Sequence, residues 1–195
     1  MVNKNKKKIN IPNLLTIGRI WAIPVIVATF FFTSPIAAWT GVVLFALAGI
    51  TDYFDGYLAR HLNQLSSFGR ILDPIADKLL VGAILVMLAY SERLNAYYAV
   101  IPAAVILCRE ILVSGLREFL AEIKVGLPVT RLAKWKTTFQ MIALPVLMVS
   151  APADAPAWCH FKEIGSFALW FAAIMTVITG YDYWKSGSKY LKDEK

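Results

Sequence analysis

The stretch TDYFDGYLARHLNQLSSFGRILDPIADKLL, residues 51–80, decides how the rest of the chain is read. It carries four carboxylates, Asp52, Asp55, Asp73 and Asp77, inside or beside apolar segments long enough to cross a bilayer. An unpaired charge is costly there, so an ionisable group in such a segment marks a functional site by default. On a helix Asp52 and Asp55 are three residues apart and Asp73 and Asp77 four, which puts each pair on one face. HLNQLSS, residues 61–67, reads as the turn between them, and a reversal near Asn63 to Leu65 makes the two helices antiparallel. With a rise of ~1.5 Å per residue, Asp52 then stands level with Asp77, and Asp55 with Asp73. Four converging carboxylates repel one another and resist desolvation unless a divalent cation lies among them, and an all-oxygen donor set suits Mg²⁺, Mn²⁺ or Ca²⁺. Gly56, Ala59 and Gly69 leave the same faces without bulk, so that a helix or a ligand can approach the backbone. Arg60, about one turn beyond Gly56, is placed to hold a phosphate through two parallel hydrogen bonds. The plainer alternative, solvated charges at helix ends, suits Arg60, His61 and Arg70 better than it suits four acids at matched depth.

Composition independently demands a membrane protein. Hydrophobic residues make up 58% of the 195-residue chain, and the mean hydropathy is +0.58; soluble domains are roughly 45–50% apolar. Six apolar spans, at about 14–32, 36–57, 71–90, 96–119, 133–150 and 164–183, are each near the ~20 residues that cross a bilayer. The expected fold is all-α: one polytopic domain over residues 1–195 with six transmembrane helices, preceded by a basic segment at 1–12. Lysine and arginine crowd one side of this arrangement, at Lys4, Lys6 to Lys8, Arg60, Arg70, Lys124, Arg131, Lys134, Lys136 and the C-terminal lysines, while the other side carries only Arg93 and Lys162. By the positive-inside rule both termini and the acidic turn face the cytoplasm. The net charge of +7 then favours anionic lipid headgroups, and nucleic acid is not an expected partner. Arg19 within the first apolar run speaks for a retained helix over a cleaved signal. Cys108 and Cys159 match no metal spacing.

Outside the acidic stretch, Arg109, Glu110, Arg117 and Glu118 lie in an apolar frame. Glu110 and Glu118 read best as members of an interhelical ion-pair network. Arg109 is too deep to reach water by snorkelling, and a cation there needs an anion. Lys134 and Lys136 are either interfacial anchors or phosphate ligands, and Thr137 and Gln140 either interhelical hydrogen-bonding residues or substrate contacts. Asn13, beside Pro12, is a candidate N-cap. Arg19 has two candidate partners, the acidic cluster and a substrate phosphate.

The spacing D-x2-D-G-x2-A-R-x8-G-x3-D-x3-D, matched from Asp52 to Asp77 without gap or substitution, resembles the signature of the CDP-alcohol phosphotransferase family. NIPNLLTIGR (10–19), REILVSGLREFLAE (109–122) and LAKWKTTFQM (132–141) extend the likeness over nearly the whole chain, and narrow it to members that make phosphatidylglycerol phosphate. The resemblance implies an enzyme that moves a phosphatidyl group from CDP-diacylglycerol to sn-glycerol 3-phosphate and releases CMP. It implies two divalent ions, Mg²⁺ or Mn²⁺, one held by Asp52, Asp55 and Asp73 and the other by Asp55, Asp73 and Asp77, with Asp77 also the general base. Asn13, Thr16, Gly56, Ala59, Arg60, Ser66 and Gly69 fall to the donor. Arg109, Arg117, Lys134 and Lys136 fall to the acceptor phosphate. A homodimer in the cytoplasmic membrane is the implied assembly. Two alternatives stand beside this reading: a sister transferase using inositol phosphate, serine or phosphatidylglycerol, and a cation transporter, since intramembrane acids also line ion pathways.

Overall fold

The structure, a computed structural model, describes residues 11–61, 66–123, 125, 131–150 and 160–190. Within these ranges the side chains of 11, 53, 55, 56, 58–60, 67, 70, 131 and 133 lie outside the description. Among the described residues six long helices follow in order: α1 (Ile11–Thr29), α2 (Pro35–His61), α3 (Ser67–Tyr90), α4 (Val100–Glu122), α5 (Arg131–Val149) and α6 (Phe161–Gly187), with a 3₁₀ turn, Ala96–Tyr98, before α4. The expected reversal near 63–65 falls outside the described residues; α2 ends at His61 and α3 begins at Ser67.

Local chemistry explains where the helix ends depart from expectation. The first span was expected to run to Phe32, but α1 stops at Thr29 because Ser34 and Pro35 start a new helix. The Ser34 hydroxyl accepts from the Ile36 amide at 3.2 Å, and proline is preorganised for a first helical position. Four residues earlier than expected, α3 begins behind Ser66, whose extended backbone and hydroxyl, accepting from Gly69 N at 2.9 Å, form an N-cap. The expected span at 96–119 is broken at its start. Tyr97 and Tyr98 have φ of 50° and 52°, the left-handed region that no continuous helix admits.

Among the described residues four stretches, Pro12–Thr29, Pro35–Asp52, Ala96–Glu122 and Phe161–Gly187, are long and apolar enough to cross a membrane. This measure supports four of the expected six spans. α3 has the length, but Asp73, Asp77 and Lys78 sit in its first half, and α5 carries Lys134, Lys136 and Gln140 in its own. Both helices bring their polar halves to the same end of the bundle, where the site lies.

The distribution of burial is that of a protein dissolved in lipid. Trp21, Ile36, Tyr90 and Tyr98 point outward, whereas Thr16, Arg19, Gln140, Thr176 and Thr179 are buried; apolar surface faces hydrocarbon and these polar groups turn inward. The larger of two buried apolar clusters among the described residues is drawn from all six helices and includes Ile26, Phe45, Ile84, Ile106, Leu144 and Leu169; the smaller joins Val113, Leu116 and Leu120 of α4 to Tyr183 of α6. α5 and α6 approach closely at Gly165, where an added Cβ would stand 2.6 Å from Leu147 Cγ.

The helices alternate in direction. At the end away from the site, Arg93 donates to Met148 O and lies 5.2 Å from the Phe30 ring, while Trp170 Nε1 donates to Tyr97 O at 2.9 Å. The finishing ends of α1, α3 and α5 thus gather there, and their starting ends gather at the acidic residues. Cys108 is a free, exposed thiol on α4; Cys159 lies outside the described residues.

Candidate active site

One face of α1 organises the acidic wall. Asn13, Thr16 and Arg19 recur every three residues and therefore line up along the helix. They meet in the same order the N-cap of α3 and two residues within it, which makes α1 and α3 parallel neighbours. Ser66 Oγ donates to Asn13 Oδ1 at 2.7 Å, Thr16 Oγ1 donates to Asp73 Oδ1 at 2.7 Å, and Arg19 Nη1 donates to Asp77 Oδ1 at 2.7 Å. The same Arg19 nitrogen lies 2.6 Å from Asp52 Oδ1 on α2. Of the two partners open to Arg19 in the sequence, the structure assigns the carboxylates.

Gly69 permits this arrangement. A Cβ there would stand 2.8 Å from Asn13 Oδ1 and 3.1 Å from Ser66 Oγ, so the group that approaches closely at Gly69 is α1 itself. Asn13, Ser66 and Gly69 form one contact cluster, with Thr16 a turn further along.

Asp52 and Asp77 are brought level, as the antiparallel reading of α2 and α3 requires, and both meet at Arg19. The Arg19 side chain is fully buried, whereas those of Asp52 and Asp77 are 42% and 52% exposed. Arg19 thus reaches Asp52 Oδ1 and Asp77 Oδ1 from within the bundle, while both aspartate side chains are partly exposed and line the cavity. Asp55, Gly56, Ala59 and Arg60 lie on the last turns of α2, and their side chains are outside the described residues. Among the described residues no three His, Cys, Asp or Glu side chains are grouped closely enough to hold a metal ion. The expected convergence of four carboxylates includes Asp55 and so lies partly outside the description; among the described residues Asp73 turns to Thr16, and a guanidinium nitrogen stands between Asp52 and Asp77. The donor chemistry still fits a hard divalent cation, because these are carboxylate oxygens facing one cavity and a cation already bridges two of them.

The opposite wall is basic. α4 supplies Arg109 and Arg117, and α5 supplies Lys134 and Lys136; with Asp52, Asp73 and Asp77 they line a single cavity of about 1070 Å³. Lys136, buried, pairs with Glu110, which also lies 3.4 Å from Arg109 Nη1. Glu110 is thus the ion-pair residue that its sequence position suggested. Glu118 lines the cavity.

Arg109 has more support than its sequence neighbourhood revealed. Its Nη2 donates to Thr179 Oγ1 at 2.9 Å, and its guanidinium lies 5.6 Å from the centre of the Tyr183 ring. Arg117 Nη2 donates to Tyr183 Oη at 2.9 Å and lies 4.9 Å from the same ring centre. Gly180 leaves room for the Arg109 stem, since a Cβ there would stand 3.2 Å from Arg109 Cγ. Thr179, Gly180 and Tyr183 were not among the expected site residues. Their signal was available as a face of small and polar residues in α6, at Gly165, Ala172, Thr176, Thr179, Tyr183 and Gly187, all buried.

Residues 9–178 match the family model described as CDP-alcohol phosphatidyltransferase. The chain is 51% identical over 181 residues to the CDP-diacylglycerol–glycerol-3-phosphate 3-phosphatidyltransferase of Rickettsia bellii, covering 93% of this chain and 97% of that protein. Proteins of the same name from Cereibacter sphaeroides and Salmonella choleraesuis are 40% and 36% identical, each across 95% of this chain and 99% and 98% of their own lengths.

Proposed function

The chain belongs to the CDP-alcohol phosphatidyltransferase family, and from that premise we propose that it transfers the phosphatidyl group of CDP-diacylglycerol to sn-glycerol 3-phosphate, giving phosphatidylglycerol phosphate and CMP. The observation that carries this reading is the two-sided cavity. Asp52, Asp73 and Asp77 face it from α2 and α3 against one lysine, Lys78, and Arg109, Arg117, Lys134 and Lys136 face it from α4 and α5 against Glu110 and Glu118; the net excess of acid on one side and of base on the other suits a metal-bound diphosphate and a separate phosphate.

Family members depend on a divalent metal. Asp52, Asp55, Asp73 and Asp77 would hold it, as two ions of Mg²⁺ or Mn²⁺. When bound, the metal neutralises the donor diphosphate and the departing CMP. The chain's own residues do the rest. Arg109, Arg117, Lys134 and Lys136 bind the acceptor phosphate and so direct its free hydroxyl toward the acidic wall. Asp77, half open to the cavity, takes the hydroxyl proton on its carboxylate as the oxygen attacks the β-phosphorus. The bond from that phosphorus to the CMP oxygen breaks in line. Asn13, Thr16, Ser66 and Gly69, linked beside Asp73, are the residues we assign to the donor nucleotide, with Gly56, Ala59 and Arg60 on the last turns of α2.

In the same proposal the chain is one membrane-embedded domain over 1–195. It crosses the cytoplasmic membrane six times, keeps both termini and the active site on the cytoplasmic side, and acts as a homodimer among lipids. The lysine and arginine bias supports the orientation. The test is CMP release by purified protein given CDP-diacylglycerol and a panel of alcohols, with and without chelator. Glycerol 3-phosphate should be the productive acceptor, and chelation should abolish release until Mg²⁺ or Mn²⁺ is restored. Turnover with inositol phosphate, serine or phosphatidylglycerol alone would assign a sister reaction, and full activity in metal-free buffer would remove the metal.

A further inference from the structure

We propose that Arg19 is a built-in counter-ion which occupies the acidic site of the metal-free protein and must give way when the divalent cation binds. The inference rests on the reading of Asp52 and Asp77 as metal ligands. Three observations support it. First, a single atom, Arg19 Nη1, lies 2.6 Å from Asp52 Oδ1 and 2.7 Å from Asp77 Oδ1, so two carboxylates from different helices face each other across one nitrogen. A divalent ion held by the same two oxygens would sit ~2.1 Å from each, within the space this nitrogen fills. Guanidinium and metal therefore compete for one position. Second, the Arg19 side chain is fully buried while both aspartates stay partly open. The guanidinium reaches the pair from inside the bundle, leaving the cavity side open for a cation to enter. Third, the neighbouring acid is held by a neutral donor, the Thr16 hydroxyl on Asp73, so the described α1 contacts put the positive charge on the Asp52–Asp77 pair.

The physical role is clear from electrostatics. Two half-exposed carboxylates brought to one point repel each other without a cation, and would draw apart from the place where α2 and α3 each meet α1. Arg19 keeps the site assembled when metal is absent. Because its charge is opposed by that of the incoming ion, the same residue weakens metal affinity and makes binding reversible.

The test is Mn²⁺ binding to the full-length protein in detergent, measured by the loss of the free-ion electron paramagnetic resonance signal, for wild type, Arg19→Gln and Arg19→Lys. Arg19→Gln should bind Mn²⁺ about tenfold or more tightly, equivalent to ~1.4 kcal/mol, while its metal-free form melts lower than wild type and gains more in Tm on adding Mn²⁺. Arg19→Lys retains the charge and should stay within about threefold of wild type. Unchanged or weaker binding by a folded Arg19→Gln protein overturns the proposal, since a residue that only orients the ligands loses affinity when removed. A second measurement needs no variant: in the Mn²⁺-loaded wild-type structure Arg19 Nη1 should no longer bridge Asp52 and Asp77, and its persistence between them overturns the proposal. If wild type binds no Mn²⁺ at all, the assignment of these aspartates as metal ligands fails first and the inference with it.

Discussion

Arg109 is the residue at which depth and charge most clearly conflict. It sits in the middle of α4, yet its side chain is only 13% exposed and turned inward. A guanidinium in that position is tolerable because Thr179 and the face of Tyr183 receive it and Glu110 lies nearby. Those contacts leave it facing the cavity with positive charge to spare, because Glu110 is already paired with Lys136. Arg109→Ala should raise the KM for glycerol 3-phosphate and lower kcat/KM by ~10²-fold, as expected for losing a charged hydrogen bond of roughly 3 kcal/mol. The KM for CDP-diacylglycerol should change much less, and steady-state kinetics with each substrate varied in turn checks both. A variant that only melts lower, with both KM values unchanged, would assign Arg109 to the ion-pair network alone. Here the sequence supplied the need for a partner, and the fold supplied partners some seventy positions away on α6, which no local pattern around Arg109 reveals.

At the scale of elements, α6 is the helix whose role was least visible. It was legible as an apolar span, and an apolar span says nothing about which face is pressed against neighbours. Its small residues do. Gly165 admits Leu147 of α5 so closely that a Cβ would meet Leu147 Cγ, Cδ2 and N at 2.6, 2.8 and 3.3 Å. The last of these is backbone and cannot swing aside. Gly165→Ala should therefore lower stability by about 1–3 kcal/mol, read as a fall in Tm by thermal unfolding in detergent. Gly115 on α4, with nothing within 4 Å of its added Cβ, is the control whose alanine variant should not lose stability. Equal melting of the two variants would place the α5–α6 contact outside the forces that hold the bundle. The helix ends were less legible than the spans: Ser34 and Ser66 shift boundaries by capping, and the left-handed Tyr97 and Tyr98 interrupt a run that composition makes continuous.

For the whole molecule, the alternating helices collect the starts of α1, α3 and α5 with the ends of α2, α4 and α6 at the charged cavity. If that end faces the cytoplasm, a cysteine placed at Lys189 in a chain lacking Cys108 and Cys159 should resist a membrane-impermeant maleimide in intact cells and react in inside-out vesicles. One placed at Glu92, at the opposite end, should behave in reverse; the inverted pattern would overturn the orientation. The sequence by itself determined the chemistry on one side of this cavity. Aspartate spacing along a helix and the antiparallel return of a short turn are local properties, and from them Asp52 stands level with Asp77 before any fold is known. It also determined that six helices form, because apolar length and turn residues are written in order along the chain. Only the tertiary structure decided that Arg19 stands between those two aspartates, that Asn13 closes over Gly69, and that Tyr183 lies beneath both Arg109 and Arg117. These are contacts between helices distant in sequence, and their register is set by which small residues let two backbones approach, a property of pairs of faces that no single segment contains.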